Sequence, residues 1–240
     1  MPIQSEYTST LKYKLIAMIQ TYHNRMLMRK RVKVRNKVFC VGLNKTGTTS
    51  WGKAMQELGY VVGSETKATM YFYDWVRGDY SNIIDYCRTD GEAFQDVPFS
   101  LPGTFLELDA AFPESKFVLT KRDSAEQWYN SVISFHGKHW STNGRVPPSP
   151  EDLARTIYLK KGFPADFCHN VFKTPISDPY NREILLEFYV NYNAEVEHYF
   201  KDRPGDLLVL NVADPRAYNN LCEFYGLPLV TDTFPWQNRQ

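Results

Sequence analysis

The sequence predicts an α/β fold: a central parallel sheet of about five strands flanked by helices. Three observations predict it. Short apolar runs alternate with helical patterns along most of the chain. One of those runs, KVFCVG at 37–42, lacks polar alternation and reads as a strand buried on both faces. The length, 240 residues at 43% hydrophobic content, suits one domain with a sizeable core.

Residues 1–36 stand apart as a helical, basic leader. Leu15, Ile16, Ile19, Tyr22, Met26 and Leu27 recur at helical spacing ahead of a basic tail. The stretch has neither the uninterrupted apolar core nor the cleavage site of a signal peptide. The expectation is a helix packed on the domain or an extended leader; the competing reading is weak association of residues 10–35 with a membrane surface or partner. No stretch approaches the ~20 apolar residues of a membrane span.

Residues 37–240 read as a single domain. After the first strand, Thr49–Leu58 forms a helix with Trp51, Ala54, Met55 and Leu58 on one stripe, ended by Gly59. YVVG (60–63) and AFQDV (93–97) are further strands, and Pro102 can start a helix carrying Phe105, Leu108 and Phe112. KFVLTK (116–121) is another buried strand. Ser124 and Gln127 then form a capping-box pattern for a helix bearing Trp128, Val132 and Phe135. DLLVLNV (206–212) is the last strand, and Asp214 and Pro215 start a final helix that Gly226 ends. Between 139 and 181 the pattern breaks down around one helical run, Glu151–Lys161, as expected of a lid or substrate wall.

Composition restricts the function. A net charge of +1, from 28 basic and 27 acidic residues, argues against bulk nucleic-acid binding, so any anion site is local. Cys40, Cys87, Cys168 and Cys222 lie far apart without metal-ligand spacing. They read as free thiols in a reducing, cytoplasmic setting.

The loop after the first strand, Gly42-Leu-Asn-Lys45-Thr-Gly47-Thr48-Thr49-Ser50, runs from strand to helix as a phosphate cradle does. Backbone N–H groups and a positive helix terminus attract an anion there, and threonine hydroxyls add donors. The triphosphate loop needs Gly-x4-Gly-Lys-Ser/Thr. Here Thr48 occupies the lysine position and Lys45 sits inside the loop. A magnesium-dependent NTPase is therefore disfavoured.

NKTGTTSW resembles the Pro-Lys-Ser/Thr-Gly-Thr-Thr loop of sulfotransferases that use 3′-phosphoadenosine-5′-phosphosulfate (PAPS), with Asn44 replacing the usual proline. The resemblance implies a P-loop-like sulfotransferase architecture with a lid insert. It also implies that Asn44, Lys45, Thr46, Gly47, Thr48, Thr49 and Ser50 hold the 5′-phosphosulfate, with Lys45 on the bridging oxygen. KFVLTKRDSAEQWYNSV is similar to the family's 3′-phosphate segment, which gives that role to Arg122 and Ser131. Their separation is nine residues where the family's commonest pattern has eight. In place of the family's late Arg-Lys-Gly loop, FPWQNR offers Trp236 for stacking and Arg239 for phosphate.

The implied reaction moves a sulfuryl group from PAPS to an acceptor hydroxyl or amine, in line and without a metal, leaving adenosine 3′,5′-bisphosphate. A general base must reach the acceptor proton. Asp96, two residues before Pro98, stands where many members of the family have a histidine, an acidic base being known in other branches; Glu65 and His136 are competitors. Aromatic residues, 15% of the chain, favour a small, partly apolar acceptor. The alternatives are an ATP- or GTP-dependent kinase of the P-loop class and a non-catalytic nucleotide-binding relative.

Overall fold

The structure is a computed structural model that describes residues 3–231 and 233–235; within its first helix, the side chains of 3–13, 15, 17, 21, 24 and 25 are outside the description. The chain opens with α1 (Ile3–Val34), β1 (Val38–Cys40) and α2 (Thr48–Glu57). Then come α3 (Glu65–Thr69), α4 (Phe72–Val76), α5 (Ser81–Asp90), β2 (Ala93–Phe94), α6 (Thr104–Ala111) and β3 (Lys116–Thr120). It continues through α7 (Ala125–Trp140), α8 (Pro150–Arg155), α9 (Phe163–Phe167), a π-helical turn (Cys168–Phe172) and α10 (Arg182–Tyr199). The last elements are β4 (Leu207–Leu210) and α11 (Ala217–Tyr225).

The four strands form one parallel sheet in the order β2-β1-β3-β4, with Phe39 opposite Phe94 on one side and Phe117 on the other. Successive strand residues point to opposite faces, and both faces of β1, β2 and β3 are buried, while Val209 on the edge strand β4 is exposed. Phe39, Phe94, Phe117 and Leu119 face α5, α6, α7 and α10. Val38, Cys40, Val118 and Leu210 face α2 and α11 through Trp51, Met55, Tyr218 and Leu221. This double burial is why the strands lack polar alternation in the sequence. Stacked rings extend from the sheet, Phe39 lying 5.6 Å from Phe94 and 5.4 Å from Phe117.

Three sequence expectations change. YVVG is not a fifth strand: it contributes a single bridge, Val62 to Ala93, because Ser64 at once caps α3 by accepting the Lys67 N–H. The helix expected from Pro102 begins at Thr104, after Gly103 adopts a left-handed conformation. The 139–181 stretch is more regular than its sequence suggests. Ser149 and Asp152 form a reciprocal capping box for α8, which ends at Arg155 because Thr156 turns extended into an Ile157–Lys161 bridge. Leu153, Phe163, Phe167, Val171 and Phe172 are buried in the main core, so this stretch is welded to the domain.

Helix α1 docks through its last turn. Glu92, whose side chain is fully buried, accepts from Arg31 at 2.6 and 2.7 Å, from Arg35 at 3.3 Å and from the Val61 amide at 2.9 Å. Arg35 also lies over the Tyr60 ring at 3.8 Å. Val32 is buried beside them, whereas Ile16, Ile19, Tyr22, Met26 and Leu27 are exposed and the Leu15 side chain lies outside the described residues. The expected packing thus holds for the end of the helix and not for its apolar stripe.

Burial raises the Glu92 carboxyl, but Arg31, the Val61 amide and Arg35 more than offset this and hold it below the usual range. A depressed carboxyl contributes stability that is present above its unfolded pKa and is lost as pH falls through the folded one. Glu92→Ala is expected to cost about 1–3 kcal/mol, moderated by the partial exposure of both arginines. Urea unfolding checks this, and the gap between wild type and variant should narrow on acidification.

Candidate active site

In a sheet ordered β2-β1-β3-β4 the chain leaves β1 toward one neighbour and later returns to its other side. Loops at the carboxyl ends of β1 and β3 therefore part at this switch point and leave a crevice between them. Here the crevice is a cavity of about 920 Å³. It is lined by Asn44, Lys45, Gly47, Thr48, Thr49 and Ser50 after β1, by Asp96 after β2, and by Arg122 and Ser131 after β3.

The β1 loop is held from behind. A Cβ on Gly42 would sit 2.0 Å from Thr120 Oγ1, so β1 and β3 approach more closely there than any side chain permits. Thr46 is fully buried with its hydroxyl 2.6 Å from Thr120 Oγ1 and 2.5 Å from the Leu43 carbonyl, so its side chain anchors the loop instead of lining the cavity. Loop carbonyls are taken up by donors outside it: Tyr192 Oη donates to Val41 O at 2.6 Å, Trp128 Nε1 to Asn44 O at 3.0 Å and Arg122 Nε to Lys45 O at 2.7 Å.

Helix α2 opens into the cavity without a side-chain cap or an acidic residue in its first turn. Its first amides therefore present a positive end suited to an anion. Gly47, at φ 107°, forms this end, and a Cβ there would meet Val212 Cγ2 at 2.5 Å. The residues present fit a phosphate or sulfate group: a bare helix terminus, threonine hydroxyls at 48 and 49, and Lys45 beside them.

Lys45 has φ 69° and rests its Nζ over the Phe135 ring at 3.5 Å. Burial lowers its pKa, partly countered by Asp96 and reinforced by Arg122. Arg122 keeps its guanidinium against the loop, while its backbone N–H donates to Tyr189 Oη at 2.8 Å. Helix α7 starts at the Ser124 cap, and Gln127, Ser131 and Ser134 follow on one stripe that lines the cavity. The extra residue between Arg122 and Ser131 does not turn Ser131 away from the cavity.

Three candidate bases share the cavity. Asp96 ends the β2 segment at φ 63°, a strained backbone, with its Oδ1 accepting the Val97 N–H at 2.8 Å. Burial raises its pKa, against the lowering by the Val97 amide and Lys45. Glu65 sits at the start of α3 and accepts from Gln95 Nε2; burial and Asp96 raise its pKa while Gln95 lowers it. His136 is fully enclosed, stacked on Trp140 at 3.9 Å with Nδ1 3.0 Å from Tyr180 Oη. Burial, then Lys45 and His139, push it down to about 3, so the ring stays neutral.

The sequence reading missed several parts of the site. The 139–181 stretch was expected as a lid or substrate wall, but not the residues it supplies: Thr156, Ile157, Tyr158, Phe163 and Phe167 line the cavity. Gln127, Asn130 and Ser134 add polar groups along α7; their spacing opposite Trp128 and Val132 was a readable signal. Thr120, Tyr192 and Gln95 act through tertiary contact, and no local pattern marks them. Trp236 and Arg239 lie outside the described residues. Cys40, Cys87, Cys168 and Cys222 are free and buried.

The fold and the cavity define an α/β protein with a crevice at the sheet's switch point whose lining suits an anion. The sequence model of the Sulfotransferase domain matches residues 37–240, and the chain belongs to this family, whose chemistry is sulfuryl transfer. No curated protein matches the chain.

Gly47→Ala combines a left-handed backbone with a clash against Val212. It is expected to abolish anion-dependent thermal stabilisation. Thr120→Val, which removes the loop's rear anchor, is expected to cost about 1–3 kcal/mol, measured by urea unfolding.

Proposed function

We propose that this chain transfers the sulfuryl group of PAPS to a hydroxyl or amine of a small, partly apolar acceptor. The supporting observation is that one cavity gathers a bare helix terminus with Lys45, the Arg122–Ser131 pair and the Asp96 carboxylate. The first two would grip the donor's 5′ and 3′ ends, and the third faces the remaining space. The bound donor supplies the activated sulfuryl group and a phosphate as leaving group.

Lys45 and the α2 amides hold the 5′ end and place positive charge where negative charge develops on the leaving oxygen. Its position on Phe135 keeps the ammonium inside the crevice and close enough to Asp96 for the two charges to interact. Arg122, already fixed to the loop through Nε, offers the rest of its planar fork to the 3′-phosphate, and Ser131 adds a hydroxyl. Held at both ends, the donor is aligned for in-line attack.

Asp96 takes the acceptor's proton. Of the three carboxylate and imidazole candidates it combines burial, a fixed strained backbone and proximity to Lys45. Burial raises its pKa toward neutrality, which makes it a stronger base than a solvated carboxylate. His136 is a poor proton acceptor because burial penalises its charged form. Ile157, Tyr158, Phe163 and Phe167 give the acceptor side an aromatic and apolar wall, which suits a small ring-bearing or alkyl acceptor.

Thermal shift with adenosine 3′,5′-bisphosphate, AMP and ATP–magnesium tests the donor. The bisphosphate should stabilise the protein most; equal stabilisation by AMP rejects the two-ended grip, and a larger effect of ATP–magnesium favours a kinase. Lys45→Ala should weaken bisphosphate binding and lower turnover by roughly 10²–10³-fold. Asp96→Asn should keep bisphosphate binding and lose roughly 10²–10⁴-fold in turnover. A raised carboxyl is ionised only at higher pH, so the acid limb of kcat/KM should lie above the ~3.9 of a free aspartate. Assay over a panel of small alcohols, phenols and amines reads both.

A further inference from the structure

The near-zero net charge conceals a segregation. Nine Lys and Arg occur from Lys12 to Lys37, with no acidic residue between Glu6 and Glu57, which leaves 19 basic and 26 acidic residues after position 37. The leader helix is therefore strongly cationic, and the domain that follows is acidic. Its docked side is defined by Arg31, Val32 and Arg35, which meet Glu92 and the domain.

At about 100° per residue, Met18, Ile19, Tyr22 and Met26 fall together on the side of α1 opposite this docked face. They are exposed by 64%, 57%, 67% and 46%. Further along, Arg29, Lys30 and Lys33 occupy the same outer stripe. Lys30 and Lys33 have no carboxylate partner among the described residues. The stripe thus changes along its length from apolar to cationic, and the cationic end lies next to the domain.

We infer that the outer face of α1 is a docking surface for an anionic lipid bilayer. A bilayer has this same sequence of environments, an apolar interior beneath a negatively charged surface. The apolar section enters the acyl boundary, and Arg29, Lys30 and Lys33 meet the headgroups. Residues 16–27 extend only about 18 Å as a helix, short of the ~30 Å hydrocarbon core, so the helix lies at the interface or enters it obliquely. None of the described helices is long and apolar enough to cross a membrane.

Pairing with the same helix of a second copy fits less well. A parallel pair would oppose Arg29, Lys30 and Lys33 to themselves, and an antiparallel pair would lay them on the other copy's apolar section. Nucleic acid would use the cations but leave Met18, Ile19, Tyr22 and Met26 in water.

Flotation of the full chain with phosphatidylcholine vesicles, with and without about 30 mol% phosphatidylserine, tests this. Binding is expected to rise at least about tenfold with phosphatidylserine and to fall steeply with salt. Lys30→Glu/Lys33→Glu should remove the phosphatidylserine dependence, and Ile19→Gln/Met26→Gln should lower binding at every composition. Both variants should retain wild-type thermal stability and bisphosphate response, since none of these residues touches the cavity or Glu92. Absence of vesicle binding, or binding that neither variant changes, overturns the inference. So does a concentration-dependent dimer, seen by sedimentation, that Ile19→Gln/Met26→Gln abolishes.

Discussion

The whole site hangs on the contact between the ends of β1 and β3. Gly42 and Thr120 approach so closely that no Cβ fits between them. The Thr46 hydroxyl then bonds to Thr120 across this junction at 2.6 Å. This contact brings a loop with a bare helix terminus alongside the strand end that carries Arg122. The Arg122 Nε bond to the Lys45 carbonyl continues the same junction at the surface of the cavity. Two segments more than seventy residues apart in sequence are joined there into one wall of the cavity.

Around that junction the polar groups are sorted by direction. Carbonyls of the β1 loop accept from Tyr192, Trp128 and Arg122, all on elements behind it. With the carbonyls occupied there, the amides at the start of α2 are left to face the crevice. Asp96 and Glu65 lie near each other in the cavity, and desolvation first, then the Asp96 charge, raise the Glu65 pKa.

The same chain shows a second, cruder division of charge. The cationic leader is held to the acidic domain at a single buried carboxylate, Glu92, through Arg31 and Arg35. Beyond that clamp the helix leaves its apolar residues in solvent. Clamp and crevice lie at the two ends of the β2 segment, Glu92 before it and Asp96 after it.

Much of the architecture was legible in the residues because it depends on local physics. KVFCVG and KFVLTK had to be buried strands, since an uninterrupted apolar run has no face to give to water. The Ser124 cap and the glycines at 59 and 226 end or begin helices by conformational preference alone. The Gly/Thr loop with Lys45 inside it and Arg122 stood out in the sequence as parts of one site, and both line the same cavity. What only the tertiary structure decided was which side chains of the 139–181 stretch line the cavity, and the fate of marginal segments. YVVG had strand composition but lost to the Ser64 cap, and the 139–181 stretch had no periodicity yet packs Phe163, Phe167 and Phe172 into the core. Thr46 carried the same pattern as its neighbours and turned inward, because its hydroxyl found Thr120 across the sheet. Such outcomes depend on partners dozens of residues away, and one-dimensional spacing holds no record of them.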